Sequence, residues 1–228
     1  HSYWLYEQVD FYIVASECAK ETLIKKGVNE DKIKVFGIPI DQKFSNELDK
    51  AKTALNLNLS IDRQSVLVMG GSRGFGPIKS LIKLLEKSAI DANFLVVAGS
   101  NKRLFKWLMR NKFSERMYVY PLIDYVDKLM TVSDIIITKP GGITAAESIA
   151  KSLPMLIVNP IPGQEENNTN YLLREEVAVK ADTIDDAVIK LEELLNDKSK
   201  LSSIREKMSK LSKPLSSVKI AELALSTV

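Results

Sequence analysis

Histidine, cysteine and long apolar runs are all scarce in this sequence. The only histidine is His1 and the only cysteine is Cys18, which excludes Ser-His-Asp catalysis, Cys-His catalysis and histidine-rich zinc sites. A single cysteine also excludes an internal disulfide and fits a reducing cytosol, so we interpret Cys18 as a small buried core residue. No apolar run reaches the roughly 18 residues of a membrane span, and the first residues lack the apolar centre of a signal peptide.

Net charge is also low, at +3 for 228 residues. We therefore expect no nucleic-acid partner, because such proteins usually concentrate basic residues on one face. The sequence contains no Asp-x-Asp motif. It begins without Met, at His1-Ser2-Tyr3-Trp4, and we expect that an N-terminal portion of the protein precedes it.

Short apolar runs alternate with helical patterns along most of the chain, which predicts an α/β fold with a parallel sheet covered by helices on both faces. Ligands of such folds bind at the carboxyl ends of the strands. Residues 41–62 are polar and mixed, and we interpret them as a linker or a small helix before a second domain that begins at residue 63. The predicted strands are residues 11–15, 32–36, 66–69, 94–98, 117–120, 134–138 and 155–158.

A glycine-rich loop, Gly70-Gly71-Ser72-Arg73-Gly74-Phe75-Gly76, lies between a predicted strand and a predicted helix. Glycines let a backbone approach a phosphate closely, and the helix that follows offers unpaired amides. We therefore predict that Gly71, Ser72, Arg73 and Gly74 bind phosphate. No Gly-Lys-Ser/Thr follows, so this is not a Walker A loop, and a tight turn that needs glycine only for steric reasons is the alternative.

A second loop repeats the arrangement of strand, glycine turn and helix. Its candidate residues for binding the nucleotide and phosphates are Lys139, Gly141, Gly142, Ile143, Thr144 and Glu147. The Thr144 hydroxyl can join the first-turn amides around a phosphate oxygen. Two interpretations of Glu147 stay open: its carboxylate binds both ribose hydroxyls, or it is the capping-box partner of Thr144.

A third turn, residues 160–168, is rich in carboxamides and carboxylates, which hydrogen-bond sugar hydroxyls in pairs. Its candidate sugar-binding residues are Gln164, Glu165, Glu166 and Asn168, and an ordinary helix-capping cluster is the alternative. The three motifs lie at strand-to-helix junctions, and together they have the layout of a pocket for a nucleotide-diphosphate sugar.

The run Thr138-Lys139-Pro140-Gly141-Gly142-Ile143-Thr144, with Glu147 and Pro162-Gly163-Gln164-Glu165, resembles the lipid glycosyltransferases of the GT-B fold. It is similar to the processive diacylglycerol glucosyltransferases and the monogalactosyldiacylglycerol synthases, and the peptidoglycan glycosyltransferase MurG is related. The opening residues resemble the end of that family's first lobe. The resemblance covers nearly the whole chain, and it implies that residues 1–62 are the end of an N-terminal lobe with a crossover and residues 63–228 a Rossmann-like donor-binding domain.

The resemblance also implies a function. The donor would be UDP-glucose or UDP-galactose, the acceptor membrane diacylglycerol or glycosyldiacylglycerol, and the anomeric configuration would invert. Lys139 would add positive charge near the diphosphate, and no metal or other cofactor would be required. The catalytic base and acceptor site would lie in the missing lobe, so this chain alone would not complete the transfer. The enzyme would be cytoplasmic and peripheral at the inner face of the plasma membrane.

Three alternatives remain open from the sequence. One is a UDP-sugar 2-epimerase of the same fold, and another is a peptidoglycan-type UDP-GlcNAc transferase. The third is a module that binds nucleotide sugars without turnover.

Overall fold

The computed structural model describes residues 5–6, 8–71, 74, 76–158 and 163–226. Its contacts divide the chain into two compact units. The smaller unit comprises His1–Ser45 together with Lys213–Val228, and the larger comprises Asn46–Ser212.

The smaller unit contains a parallel pair of two-residue strands, β1 (Tyr12–Ile13) and β2 (Ile33–Lys34). Its helices are α1 (Glu17–Ile24) and, at the end of the chain, α10 (Ser216–Ser226). Ser16 caps α1 by accepting a hydrogen bond from the Ala19 amide, and Gly27 follows the helix at a φ of +88°. Cys18 is half-buried, so our interpretation of it as a buried core residue is wrong.

In its described residues, the larger unit holds a six-stranded sheet in which every neighbouring pair is parallel. The strand order is β5-β4-β3-β6-β7-β8, so the chain runs outward in one direction from β3 and in the other from β6. The order therefore reverses between β3 and β6, and this switch point is where ligands of open α/β sheets bind. The strands are β3 (Gln64–Met69), β4 (Ala92–Val97), β5 (Met117–Tyr120), β6 (Ile135–Thr138), β7 (Met155–Val158) and β8 (Ala178–Ala181).

Helices connect these strands and cover both faces of the sheet. Apolar residues repeat at helical spacing in α3, and its buried residues are Ile78, Leu81, Ile82 and Leu85. The helices are α2 (Lys50–Asn56), α3 (Ile78–Lys87), α4 (Lys102–Arg110), α5 (Val126–Val132), α6 (Gly142–Ala150), α7 (Gln164–Arg174), α8 (Ile184–Asn196) and α9 (Lys198–Leu211).

The predicted fold class is confirmed: a Rossmann-like parallel sheet lies between helices. Its central strands β4, β6 and β7 are buried along their whole length, which explains why they read as continuous apolar runs rather than alternating ones. The predicted boundary at residue 62 differs from the division by contacts. Helix α2 packs on α5, and the Lys50 ammonium lies 2.6 Å from the Asp134 carboxylate, so residues 46–62 group with the sheet.

Candidate functional site

The three predicted motifs begin at the carboxyl ends of three adjacent strands. The glycine loop follows β3, the Lys-Pro-Gly-Gly loop follows β6, and the carboxamide-rich turn follows β7. Met69 pairs with Thr138, and Thr138 pairs with Ile157, so the ends of the three strands are level. Because neighbouring strands are about 4.8 Å apart, all three loops start within about 10 Å of one another.

A small crevice opens between the ends of these strands. Its lining includes Gly70, Gly76 and Pro77 of the first loop, Lys139 of the second, and Val158 at the end of β7. The crevice thus lies at the switch point between β3 and β6, where the fold predicts a ligand.

The glycines of the first loop serve different purposes. The Gly74 amide donates to the Gly71 carbonyl at 3.0 Å, and the Gly74 carbonyl accepts from Asn101 Nδ2 at 3.2 Å. A Cβ on Gly74 would lie 2.2 Å from the Ala98 carbonyl oxygen, whereas one on Gly71 would meet open space. The tight-turn alternative therefore explains Gly74, whose amide and carbonyl are both hydrogen-bonded within the protein. Gly71 has a φ of +70°, which also favours glycine, although a Cβ there would meet no neighbouring atom. Ser72 and Arg73 lie outside the described residues.

Helix α6 presents its N-terminus at the carboxyl edge of the sheet. Its N-cap residue is Gly141, which offers no side-chain cap, and Gly142, Ile143 and Thr144 form the first turn. Thr144 is buried and sits inside the helix rather than at the cap, so the capping-box interpretation of Thr144 and Glu147 is wrong. A helix N-terminus without a side-chain cap carries partial positive charge and amides suited to an anion.

An ion pair connects the second and third motifs. Lys139 Nζ lies 2.7 Å from Glu165 Oε1, and the two side chains are only 15% and 16% exposed. Beside them, Asn168 Nδ2 donates to the Pro140 carbonyl at 2.9 Å. The first turn of α7 is therefore fixed to the loop after β6. Two residues that the sequence assigned to different parts of a ligand, Lys139 and Glu165, contact each other directly.

The remaining candidates lie around this centre. Ile143 and Glu166 are exposed, Glu147 is half-buried one turn further along α6, and Gln164 is the first residue of α7. Gly163, at a φ of +96°, precedes α7, and residues 159–162 lie outside the described residues. The binding roles of all these residues stay predictions.

Two features of this region escaped the sequence reasoning. The loop between β5 and α5 ends at the same edge of the sheet and exposes Leu122. Burial is the main cause that raises the pKa of the Tyr120 hydroxyl at its start to about 12. The other feature is Ser148 Oγ on α6, which is buried without a hydrogen-bond partner among the described residues. The loop after β5 has no glycine signature, and the cluster of Tyr118, Tyr120 and Tyr125 was the available signal for it.

Within the residues that the structure describes, no three His, Cys, Asp or Glu side chains lie close enough together to hold a metal ion. No described helix combines the length and apolarity needed to cross a bilayer.

The comparisons with known proteins agree with the resemblance read from the motifs. The model of the glycosyltransferase family 28 C-terminal domain matches residues 65–223, and the monogalactosyldiacylglycerol synthase model matches residues 1–40. Two similar relatives are named processive diacylglycerol beta-glucosyltransferases. The one from Bacillus pumilus is 31% identical over 97% of this chain and 58% of its own length, and the one from Staphylococcus carnosus is 32% identical over 92% and 54%. The chain thus spans little more than half the length of these curated relatives.

Solved structures share the fold at low sequence identity. A proposed UDP-N-acetylglucosamine 2-epimerase from Listeria monocytogenes has a TM-score of 0.74 at 15% identity, over 93% of this chain and 58% of its own. Anabaena HepE, solved in complex with UDP-glucose, has a TM-score of 0.62 at 15% identity, over 96% and 64%. Both similarities concern the fold alone.

Proposed function

The chain belongs to glycosyltransferase family 28 through its C-terminal domain, and we propose that it supplies the donor-binding half of a lipid glycosyltransferase. The reaction transfers a hexose, glucose or galactose, from a UDP-sugar to membrane diacylglycerol or glycosyldiacylglycerol, with inversion at the anomeric carbon. One observation carries the proposal: the loops after β3, β6 and β7 meet at the switch point, beside an α6 N-terminus without a side-chain cap and the Lys139 ammonium.

The charges in this crevice suit a diphosphate. The α6 N-terminus and Lys139 supply positive potential where the leaving UDP develops negative charge. In this proposal Thr144 and the loop around Gly71 contact the phosphates, Glu147 holds the ribose hydroxyls, and Gln164, Glu166 and Asn168 face the hexose. Glu165 would lie near both the diphosphate and the hexose. It pairs with Lys139, and it belongs to the first turn of α7, which would face the sugar. These fixed charges take the role that a metal has in other transferases, so the reaction requires no metal.

The donor class and acceptor class are inferred from relatives. The similar curated proteins are named for glucosyl transfer to diacylglycerol, and Anabaena HepE was solved with UDP-glucose. The match of residues 1–40 to a galactolipid synthase model keeps galactose open as the sugar. We place the acceptor site and the catalytic base in the part of those longer relatives that this chain does not span, and the enzyme at the cytoplasmic face of the membrane.

A thermal shift assay with UDP, GDP and ADP, each with Mg²⁺ or with EDTA, tests the donor site. We expect stabilisation by UDP alone, unchanged by EDTA. Glu147→Ala should abolish it, whereas the matched control Glu192→Ala, an exposed carboxylate on α8, should not. Equal responses to the three nucleotides, or a response that needs Mg²⁺, would contradict the proposal.

The same assay separates the candidate sugars. Stabilisation beyond that of UDP by UDP-glucose or UDP-galactose fits the proposed lipid glycosyltransferase. A response to UDP-N-acetylglucosamine alone would instead favour a peptidoglycan-type transferase. If a chain extended by the N-terminal part that the relatives possess bound UDP-hexose but transferred no radiolabelled hexose to diacylglycerol vesicles, a nucleotide-sugar binding module would remain.

A further inference from the structure

Helices α3 and α4 carry parallel rows of exposed basic residues. Lys79, Lys83 and Lys87 repeat every four residues along α3, and Lys102, Lys106 and Arg110 do the same along α4. The two rows are adjacent, because the Lys79 and Lys83 ammonium groups lie 5.4 and 5.9 Å from the centre of the Trp107 ring on α4. We call this surface the basic face; its residues are Lys79, Lys83, Lys87, Lys102, Arg103, Lys106, Arg110 and Lys112.

The low net charge of the chain conceals this concentration. Residues 77–113 contain the eight basic residues of the basic face and two acidic ones, Glu86 and Asp91, although the whole chain carries only +3. Both acidic groups are engaged with other partners: Glu86 accepts from the Ser114 amide and hydroxyl, and Asp91 pairs with Arg63. In the described part of the chain, no acidic side chain forms an ion pair with any residue of the basic face, whereas Lys139, Lys190 and Arg205 elsewhere are paired.

Helix stability does not explain this pattern. Like charges four residues apart repel one another on a helix surface, and both rows consist of such pairs. Lys102 and Arg103 also lie in the first turn of α4, where the helix dipole disfavours positive charge. Lys87 and Arg110, in the last turns of their helices, are the exceptions that the dipole favours. The basic face therefore carries like-charge repulsion that an anionic partner would relieve.

Apolar groups lie among these charges. Trp107 packs edge-to-face on Phe113 with ring centroids 5.9 Å apart, and Met109 is 62% exposed at the surface of α4. Tryptophan together with lysine and arginine is the combination that settles at the interface of a bilayer with water. Anionic headgroups attract such basic clusters electrostatically, while the apolar side chains enter the boundary with the acyl chains.

We propose that the basic face docks on the surface of an anionic phospholipid bilayer. The preference for lipid over nucleic acid rests on the proposed function, whose acceptor is a membrane lipid. The basic face also borders the first glycine loop, because one open cleft is lined by Gly74 and Gly76 of that loop and by Lys79 and Arg103 of the basic face. The donor-binding unit itself thus touches the membrane, next to the loop that approaches the donor.

The test is co-sedimentation of the 228-residue chain with vesicles of phosphatidylglycerol and phosphatidylcholine, compared with phosphatidylcholine alone. We expect binding only to the anionic vesicles, weakening as salt rises. Lys102→Gln/Lys106→Gln/Arg110→Gln should reduce the bound fraction at least about tenfold, because each lost cation removes one headgroup contact. The matched control, Lys25→Gln/Lys198→Gln/Lys200→Gln, removes the same charge from exposed sites elsewhere and should bind like the unaltered chain.

Two further readouts make the result specific. In a Trp4→Phe background the emission of Trp107 should shift to the blue on anionic vesicles, and UDP should still stabilise the α4 variant. Equal loss of binding in both triple variants would overturn the proposal, as would tighter binding of a DNA or RNA duplex through the same residues. If the chain bound anionic and phosphatidylcholine vesicles equally while UDP still stabilised it, membrane docking through the basic face would be refuted and the proposed function would stand. If the chain bound anionic vesicles selectively but did not respond to UDP, only the proposed function would be contradicted.

Discussion

At the residue scale, glycines with similar sequence surroundings have different physical reasons to be glycine. Gly74 is required by its neighbours, since a Cβ would lie 2.2 Å from a backbone oxygen and its φ is +56°. Gly141 has an ordinary φ of −62°, and a Cβ there would meet open space. Gly74 therefore preserves the fold, and Gly141 leaves room at the α6 N-terminus.

The pair Gly74→Ala and Gly141→Ala tests this distinction. We expect Gly74→Ala to lower the free energy of unfolding by roughly 1–3 kcal/mol, through steric overlap and left-handed strain. Gly141→Ala should cost less than about 1 kcal/mol yet weaken UDP binding about tenfold, which is about 1.4 kcal/mol. Urea denaturation and UDP titration measure the two effects, and the reverse assignment of stability and binding losses would refute the explanation.

The ion pair between Lys139 and Glu165 makes a second contrast at this scale. Both side chains are mostly buried, so removing either charge should destabilise the fold. Lys139→Met should also weaken the binding of UDP, because a positive charge near the diphosphate disappears. Glu165→Gln should spare UDP binding and reduce only the extra stabilisation that the sugar of a UDP-hexose provides.

Calorimetric titration of both variants with UDP and UDP-glucose separates these effects. The isosteric Glu165→Gln change is its own control for packing. If Glu165→Gln weakened UDP as strongly as Lys139→Met does, Glu165 would act on the diphosphate and not on the sugar.

At the scale of the elements, the described residues show which features local sequence could predict. Strands β3, β6 and β7 were predicted because their residues are apolar and buried on both faces of the sheet. Strand β8 was missed because its sequence, Ala-Val-Lys-Ala, is not a continuous apolar run and contains residues that are depleted in strands. Helix α5 was missed because its seven residues are too few to establish a helical period.

The candidate site shows the same limit. Glycine turns after apolar strands predicted which loops face the carboxyl edge, because a parallel sheet places them there. The ion pair between Lys139 and Glu165 joins residues 26 positions apart, and no local pattern encodes it. The strand order that makes β3, β6 and β7 neighbours likewise depends on long-range packing.

At the amino ends of β3 and β6, the carboxylate of Asp134 contacts several elements of the larger unit. Asp134 precedes β6 and is 14% exposed; it accepts from the Ser65 amide at 2.9 Å and pairs with Lys50 of α2 at 2.6 Å. Arg205 of α9 approaches the same carboxylate at 3.5 Å. Asp134 thus connects the starts of β3 and β6 with two helices.

We expect Asp134→Ala to lower the free energy of unfolding by about 2–3 kcal/mol, because a buried amide loses a charged acceptor. UDP binding should be unchanged, since the nucleotide site is at the other end of the strands. Denaturant unfolding and a UDP titration of the same sample measure both, with Asp185→Ala, an exposed residue of α8, as the control. A large loss of UDP affinity in a folded Asp134→Ala protein would contradict this separation of the two edges.

At the scale of the whole molecule, all described candidate site residues belong to one compact unit, residues 46–212. The other unit combines both ends of the chain. There Ser216 Oγ donates to the Ile38 carbonyl at 2.8 Å, and Ser45 Oγ donates to the Pro214 carbonyl at 3.0 Å. The final segment therefore completes the smaller unit, although the sequence assigned it to the donor domain.

Deletion of residues 213–228 tests the independence of the larger unit. The smaller unit would lose the partners of Ile38 and Ile40, so we expect faster amide exchange across residues 12–45. Strands β3, β4 and β6 should keep their protection, because their hydrogen bonds and buried side chains all lie within the larger unit. Stabilisation by UDP should persist at the same nucleotide concentration. Hydrogen–deuterium exchange with and without UDP measures all three effects, and loss of protection in β3 together with loss of the UDP response would mean that the nucleotide site needs both units.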